Sequence, residues 1–459
     1  MAIGLGFGLA LIWINVLLHQ PKFYNKTLGK ISYNYTNKEH RPFDIVQEKK
    51  GFETFEDDKL IHWDAVSYYC MKERLYDTST GCDNKVRPAY FPLFPLIWKA
   101  SHLSSAGISA FNYCCLILSL IILLEVLIVD SRNKWAVFLL FLCMPQDIFF
   151  IIPYTEAVFL LMFSCTVYAL ILGDKKLYFI AAFLAGMCRP ASLIYVIALL
   201  IYYAIIFYQA NNKRALILGL LFQLVPFLLA YAAVVLMQFY YTHDWIAISH
   251  AHDHWDPVIY SWPKEIRDWS VESFGTSAFS ICFIFIPGII YLLYLIFTSR
   301  KNSLTEPGMF KEHVVFKKHF LLQVCLIYFT IIGVLIIGRN GGDIHSLSRL
   351  SLATPFFYIL TILGFEKVQN FSLQKRFILF GGSVILLTVF LSVVKYGDHK
   401  FQFCFLGMFE LIAAAVIIYL VPPQRKILYY VMLMCLGFCN LFWLAYLFND
   451  FLTPGWIFT

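Results

Sequence analysis

The sequence predicts an all-α, polytopic membrane protein, and three observations predict it. Hydrophobic residues make up 60% of the 459 and charged residues 14%, against roughly 45–50% and 25% in soluble domains. The mean hydropathy is +0.69. Apolar runs recur from one end of the chain to the other, separated by short basic loops. A soluble fold with a single anchor would not read this way. No internal repeat, low-complexity tract or linker divides the chain, so residues 1–459 are expected to form one membrane domain.

A span needs about 20 apolar residues. Spans are expected near 1–19, 106–130, 135–152, 154–172, 177–189, 191–208, 215–240, 276–298, 319–338, 349–366, 377–395, 402–421 and 427–448. That makes about 11 to 13 transmembrane helices. The first run has no basic n-region and no small-residue cleavage site, so it reads as a span and not as a removed signal peptide. The 177–189 run is too short to cross alone. It is expected to pair with 191–208 as a broken or re-entrant helix around Arg189-Pro190, where proline removes a backbone donor.

Charge sets the orientation. With the N-terminus in the cytoplasm, the inner loops carry Arg132 and Lys134, Lys175 and Lys176, Lys213 and Arg214, Arg300 and Lys301 with Lys317 and Lys318, Lys367 with Lys375 and Arg376, and Arg425 with Lys426. All of them are basic, as the positive-inside rule expects. The long loops 20–105 and 241–275 then fall on the outer, periplasmic or lumenal side, with the short turns at 152–156, 189–191, 339–348 and 395–401. The net charge of +7 is accounted for by those loops and gives no reason to expect nucleic acid. Of the twelve cysteines, Cys70 and Cys82 share the first outer loop, where a disulfide can join them, and there is no metal-ligand spacing.

The outer face holds the unusual polar residues. In the loop 20–105, Asp57-Asp58 can cap an amphipathic helix running Lys59 to Leu75 along the membrane surface, with Asp64 inside it. Asp64 follows His62-Trp63, and Tyr90-Phe91-Pro92-Leu93-Phe94-Pro95 leads back towards the bilayer. A lone acid in a loop is ordinarily a solvated helix carboxylate, and aromatic-proline runs are often interfacial anchors. Here the two occur together. Glu156, in the tight turn Pro153-Tyr154-Thr155-Glu156-Ala157, lies at the edge of the hydrocarbon; it either starts the next helix or faces a cavity or partner. Arg189 can hold a phosphate by paired donors, snorkel to headgroups, or pair with Glu156. Arg339 and Arg349 flank the turn 340–348 and pose the same choice. In the loop 241–275, His250, His252 and His254 alternate before Trp255. A metal cage there would need further ligands, so a sugar- or headgroup-contacting loop is the preferred reading.

In this order and spacing, Trp63-Asp64 with Tyr90-Phe91-Pro92-Leu93-Phe94-Pro95, Tyr154-Thr155-Glu156-Ala157, Arg189-Pro190, the aromatic-His loop ending at Trp255, and Ser346-Leu347-Ser348-Arg349 resemble the PIG-V type of mannosyltransferase across most of the chain. That family is a branch of the GT-C membrane glycosyltransferases. The chain departs from it at Lys72-Glu73-Arg74-Leu75-Tyr76, where the family tends to show Ala-Glu-x-Gly-Tyr, and at Leu350, where Tyr is usual. Ala191-Ser192 after Arg189-Pro190 is closer to prokaryotic relatives.

The resemblance implies a GT-C fold and transfer of mannose from a polyprenyl-phosphate donor to a hydroxyl of a lipid-linked glycan, GPI-precursor-like in a eukaryote. It implies an outer-face site with Asp64 as general base and Glu156 positioning acceptor or base. Arg189, Arg349 and Arg339 would meet the donor phosphate. Trp63, Tyr90, Phe91, Tyr154, His252 and Trp255 would contact sugar or acceptor. No metal or other cofactor is implied. The partners would be donor, acceptor and membrane lipid, with room for an accessory subunit. The bacterial inner membrane is the preferred location, or the endoplasmic reticulum in a eukaryote. Two competing readings are a GT-C enzyme for another sugar or acceptor and a multi-pass transporter. A transporter predicts related halves and mid-membrane ion pairs, which the sequence lacks.

Overall fold

The computed structural model describes residues 4–11, 57–77, 87–128, 131–142, 144–207, 212–253, 280–299, 314–340, 347–369, a few positions in 371–382 and isolated positions from 427 to 451. The expected spans 377–395, 402–421 and 427–448 thus lie wholly or largely outside the described residues. Every regular element among those described is helical, with no strand.

The helices, numbered in chain order, are α1 (Asp64–Arg74), α2 (Leu93–Ser101), α3 (Ser105–Leu127), α4 (Ser131–Phe141), α5 (Glu156–Leu172), α6 (Lys175–Gly186), α7 (Ala191–Phe207), α8 (Lys213–Thr242), α9 (Ala247–Asp253), α10 (Ile286–Ser299), α11 (Val314–Asn340), α12 (Leu347–Leu352) and α13 (Pro355–Gln369). Among the described residues, three stretches are long and apolar enough to cross a membrane: α3, α8 and residues Lys317–Ile336 of α11. This fits a membrane protein. The 30 residues of α8, at 1.5 Å each, exceed a hydrocarbon core of about 30 Å.

The core runs through the middle of the bundle, where α5 packs on α3 and α6, α7 on α8 and α11, and α11 on α10 and α13. Aromatic pairs run through it. Phe356 meets Phe163 and Tyr328 at centroid distances of 4.7 and 3.8 Å, edge-on to the first and stacked on the second. Such pairs add about 0.5–1.5 kcal/mol beyond their area.

Several expected elements are broken. The run 135–152 is not one helix: α4 stops at Phe141, a 3₁₀ turn covers Pro145–Asp147 and a short helix covers Ile148–Ile151. Pro145 cannot donate to the ladder, and the freed turn lets Asp147 accept a hydrogen bond from Tyr358 of α13. The run 349–366 is likewise split between α12 and α13. The 177–189 and 191–208 runs form two helices, α6 and α7, joined by the turn 187–190. Gly186, the last residue of α6, has no room for a side chain: a Cβ there would stand 2.6 Å from that of Ala230 on α8. The close approach seats the turn that carries Arg189.

The surface helix expected over Lys59 to Leu75 is in two pieces, a 3₁₀ turn Asp57–Leu60 and then α1. Trp63 separates them with φ 54°, a left-handed conformation that costs a non-glycine residue roughly 1–3 kcal/mol. The break moves Asp64 from the middle of a helix to its first residue. There the unsatisfied N–H groups of the helix start favour a carboxylate.

Hydrogen bonds tie helix termini together at two ends of the bundle. At one end, the Asn112 amide of α3 donates to the carbonyls of Ile152 and Tyr154 at 2.7 and 2.9 Å, fixing the turn that starts α5. At the other end, Lys317 reaches the Ile171 carbonyl near the close of α5, and Lys318 reaches Leu127 at the close of α3 and Glu366 near the close of α13.

Candidate functional site

Four charged residues spread over 285 positions of the chain meet at the first of these ends. Arg349, on α12, is the hub. Its Nη1 donates to Asp64 Oδ2 at 2.6 Å, while its Nε and Nη2 both lie 2.8 Å from Glu156 Oε1. Arg189 Nη1 stands 2.9 Å from the same Glu156 oxygen. Glu156 Oε1 is therefore shared between two guanidinium groups. Glu156 Oε2 is buried and, among the described residues, has no hydrogen-bond partner. The face of the Arg349 guanidinium lies over the rings of Tyr154 and Phe149, 4.6 and 5.2 Å from their centroids, a cation–π arrangement strengthened by desolvation.

Each partner is placed by local structure. Glu156 opens α5, with Thr155 before it at hydrogen-bonding distance from the Tyr68 hydroxyl, 3.3 Å. Arg189 sits in the turn between α6 and α7, closed by Ser192, whose hydroxyl donates to the Arg189 carbonyl at 2.7 Å. Tyr90 is anchored from three sides. The Tyr76 hydroxyl donates to its carbonyl at 2.8 Å, Gln238 of α8 donates to Pro88 at 2.7 Å, and the Leu93 N–H donates to Met187 at 3.2 Å. From that fixed position the Tyr90 hydroxyl donates to Asp64 Oδ1 at 2.9 Å.

The electrostatics of Asp64 combine opposing causes. Burial pushes its carboxyl up, but the Arg349 charge and hydrogen bond, the Tyr90 hydroxyl and the Arg189 charge pull it down, and the net direction is below its ordinary 3.8. Asp64 is ionised at neutral pH. Burial and the neighbouring Asp64 charge push the Tyr90 hydroxyl well up, so it stays a donor.

Six of the residues picked out from the sequence are thus placed around one point: Asp64, Glu156, Arg189, Arg349, Tyr90 and Tyr154. The arginines face carboxylates, the acid pairing named above as an alternative for Arg189. The remaining candidates fall elsewhere. Trp63 is beside Asp64 but projects outward, 46% exposed. Phe91 is turned away from Asp64 and buried with Met187, Ala230 and Val234, so its role in this structure is packing. Arg339 lies in the last turn of α11 and His252 in α9, with side chains outside the described residues, as is Trp255. In the same region Asp244 closes the turn before α9: it accepts from the Ile246 N–H at 3.0 Å and pairs with His250 at 2.7 Å. The Ile246 N–H first, and then His250, hold its carboxyl below the ordinary value. Trp245 stacks on Phe239 at 3.9 Å.

Three residues near the site went unselected. Phe149 supports Arg349. Phe451, from the far end of the chain, lies edge-on to His62 and Tyr154 at 5.7 and 6.2 Å. Asp147 is fully buried one short helix below the turn. Only Asp147 left a sequence signal, an acid two residues after a proline inside an apolar run. Cys70 is disulfide-bonded, and its partner lies outside the described residues.

Chemically, the cluster offers an ionised carboxylate at the solvent margin, a desolvated carboxylate oxygen with open lone pairs, and two guanidiniums that can bind an anion. Among the described residues no group of three or more metal-ligating side chains gathers. Comparison with protein-family models, with curated proteins and with solved structures found no match.

Proposed function

We propose that this chain is a membrane glycosyltransferase of the GT-C kind, transferring mannose from a polyprenyl-phosphate donor to a hydroxyl of a lipid-linked glycan. The observation that carries the reading is the convergence of Asp64, Glu156, Arg189 and Arg349 at one end of a helical bundle. The motif resemblance made Asp64 the base, placed Arg189 and Arg349 on the donor phosphate and gave Glu156 a positioning role, and their meeting supports assigning them to one site.

The reaction asks for three things. The acceptor hydroxyl must lose its proton as its oxygen bonds to the anomeric carbon. The bond from that carbon to the phosphate oxygen must break, and the departing lipid phosphate must be stabilised. Asp64 takes the hydroxyl proton. One base acting from the acceptor side and a leaving group on the other invert the anomeric configuration. Arg349 and Arg189 stabilise the phosphate as charge builds on it, electrostatically and without reorganisation. A phosphate leaving group needs no proton donor. Glu156 orients Arg349 and Arg189 and offers Oε2 to a sugar hydroxyl. The polyprenyl tail lies along apolar helix faces, the reason such chemistry uses a membrane fold. The disulfide at Cys70 supports an oxidising, extracytoplasmic side for α1.

The test is transfer itself. Membranes containing the protein, given radiolabelled polyprenyl-phosphate mannose, should label a glycolipid. Asp64→Asn should cut the rate by about 10²–10⁴, the usual contribution of a general base, with insertion and expression unchanged. Full transfer by Asp64→Asn removes the base. Label from a different sugar donor alone keeps the chemistry and discards mannose.

A further inference from the structure

The cluster as it stands holds two arginines and two carboxylates, and its charges cancel. Such a site has no surplus positive charge to attract a phosphate, yet the reading above, on which this inference rests, needs one. An arriving anion must therefore replace one of the acids on its arginine. The geometry decides which acid gives way. Glu156 is fully buried and is held by Arg349 through both Nε and Nη2 and by Arg189. Its departure would strand two guanidiniums in a desolvated pocket. Asp64 is held to Arg349 by one nitrogen only, and its side chain is 28% exposed. It also stands on the first residue of α1, directly after the left-handed Trp63, where a modest backbone rotation would swing it outward.

We propose that a lipid-borne phosphate exchanges with Asp64 on Arg349 Nη1, so that the substrate frees the base by taking its counter-ion. Arg349 keeps Glu156 throughout and serves as the positioning residue for both states. Tyr90 keeps Asp64 Oδ1 within reach, so the freed carboxylate turns towards the acceptor and is not lost to solvent. The groups facing Asp64 are Arg349 from α12, Tyr90 from the turn before α2, Tyr68 from α1, Arg189 from the turn between α6 and α7, Glu156 from α5 and Tyr154 before it. Of these, Arg349 pulls its carboxyl down most. Loss of that contact raises its proton affinity at the moment a base is needed. In the absence of donor the same carboxylate is a poor base, which protects against idle chemistry with water.

The experiment measures binding of farnesyl phosphate, and of inorganic phosphate, to the full chain in detergent. If Asp64 competes for Arg349, Asp64→Asn tightens binding of the phosphate by about tenfold, within the range of couplings between sites that share a group, and Arg349→Gln abolishes it. Tightening towards farnesyl phosphate alone means the tail is part of recognition; tightening towards both means the headgroup suffices. Either result supports the exchange. Equal or weaker binding by folded Asp64→Asn overturns it. A second measurement needs no variant: with aspartate carbon-13 labelled at the side-chain carboxyl, infrared difference spectra of the wild type should show a carboxylate band moving when farnesyl phosphate is added. Unmoved aspartate bands on a saturated protein overturn the exchange while leaving the transferase reading standing. No farnesyl phosphate binding by any folded form removes the donor reading, and the exchange with it.

Discussion

At the Asp64 end of the bundle, Glu156 is fully buried and shared by two arginines. At the opposite end, Glu125 and Glu366 pair with Lys134 and Lys318 while keeping 64% and 29% of their side chains exposed. Both ends join helix termini that are distant in sequence, so both brace the fold. They differ in what bracing costs. An exposed pair such as Glu125–Lys134 is made at little desolvation cost and is worth about 0–1 kcal/mol, whereas Glu366–Lys318 is as sheltered as Asp64–Arg349. Buried pairs lose several kcal/mol of hydration per ion and recover it only with good geometry. Apolar side chains could close the first end with less difficulty. The end that holds the fully buried Glu156 is therefore the costlier one, in keeping with the site proposed above, whereas the exposed Glu125–Lys134 pair needs no more than architecture.

That contrast can be broken by substitution. The largest expected effect is Glu156→Gln, which leaves Arg349 and Arg189 facing each other without their shared anion. Thermal unfolding in detergent should show a loss of about 3–5 kcal/mol, the range for breaking a buried pair from one side. If the loss matches that of Lys134→Ala, the two ends are energetically alike and the contrast fails. Next comes Tyr358→Phe. It removes the hydroxyl that donates to Asp147 and should cost about 1–3 kcal/mol as a buried acceptor loses its partner. No loss would mean that Asp147 finds another donor.

Acid is a gentler probe of the same end. The Asp64 carboxyl is held below 3.8 when folded, so its contribution is fully present above the unfolded value and disappears as pH falls through the folded one. Stability should therefore decline on acidification below about pH 4, more steeply in wild type than in Asp64→Asn. Parallel pH profiles would show that Asp64 is not the group responsible. The smallest effect belongs to Lys134→Ala, which should change stability by no more than about 1 kcal/mol. Raising salt should shrink the difference further.

Much of this arrangement was legible beforehand, for an identifiable reason. Glu156, Arg189 and Arg349 stand at the ends of apolar runs, where an ionisable side chain must find a partner, so position alone marked them. The pairing of Arg189 with Glu156 was among the alternatives, but that of Arg349 with Asp64 was not legible, because the two are 285 residues apart and no local pattern encodes such a contact. The helical class followed from composition, but the break before α1 did not. Trp63 takes a left-handed conformation without the glycine or asparagine that usually announces one. Phe91 illustrates the opposite error, since an aromatic near an acid in sequence can face away from it in space. The split of the 135–152 run was signalled by Pro145 and overridden by the hydrophobicity around it.

The long reach between the cluster's members also sets an order of events during synthesis. Asp64, Glu156 and Arg189 leave the ribosome well before Arg349, which follows Glu156 by 193 residues. Until α12 arrives, the nascent chain holds two acids against one arginine, and the carboxylate that opens α5 is committed to the interior with half its compensation missing. A chain halted before residue 347 should thus carry an unbalanced charge in its interior, so the arrival of Arg349 is the step that neutralises the cluster.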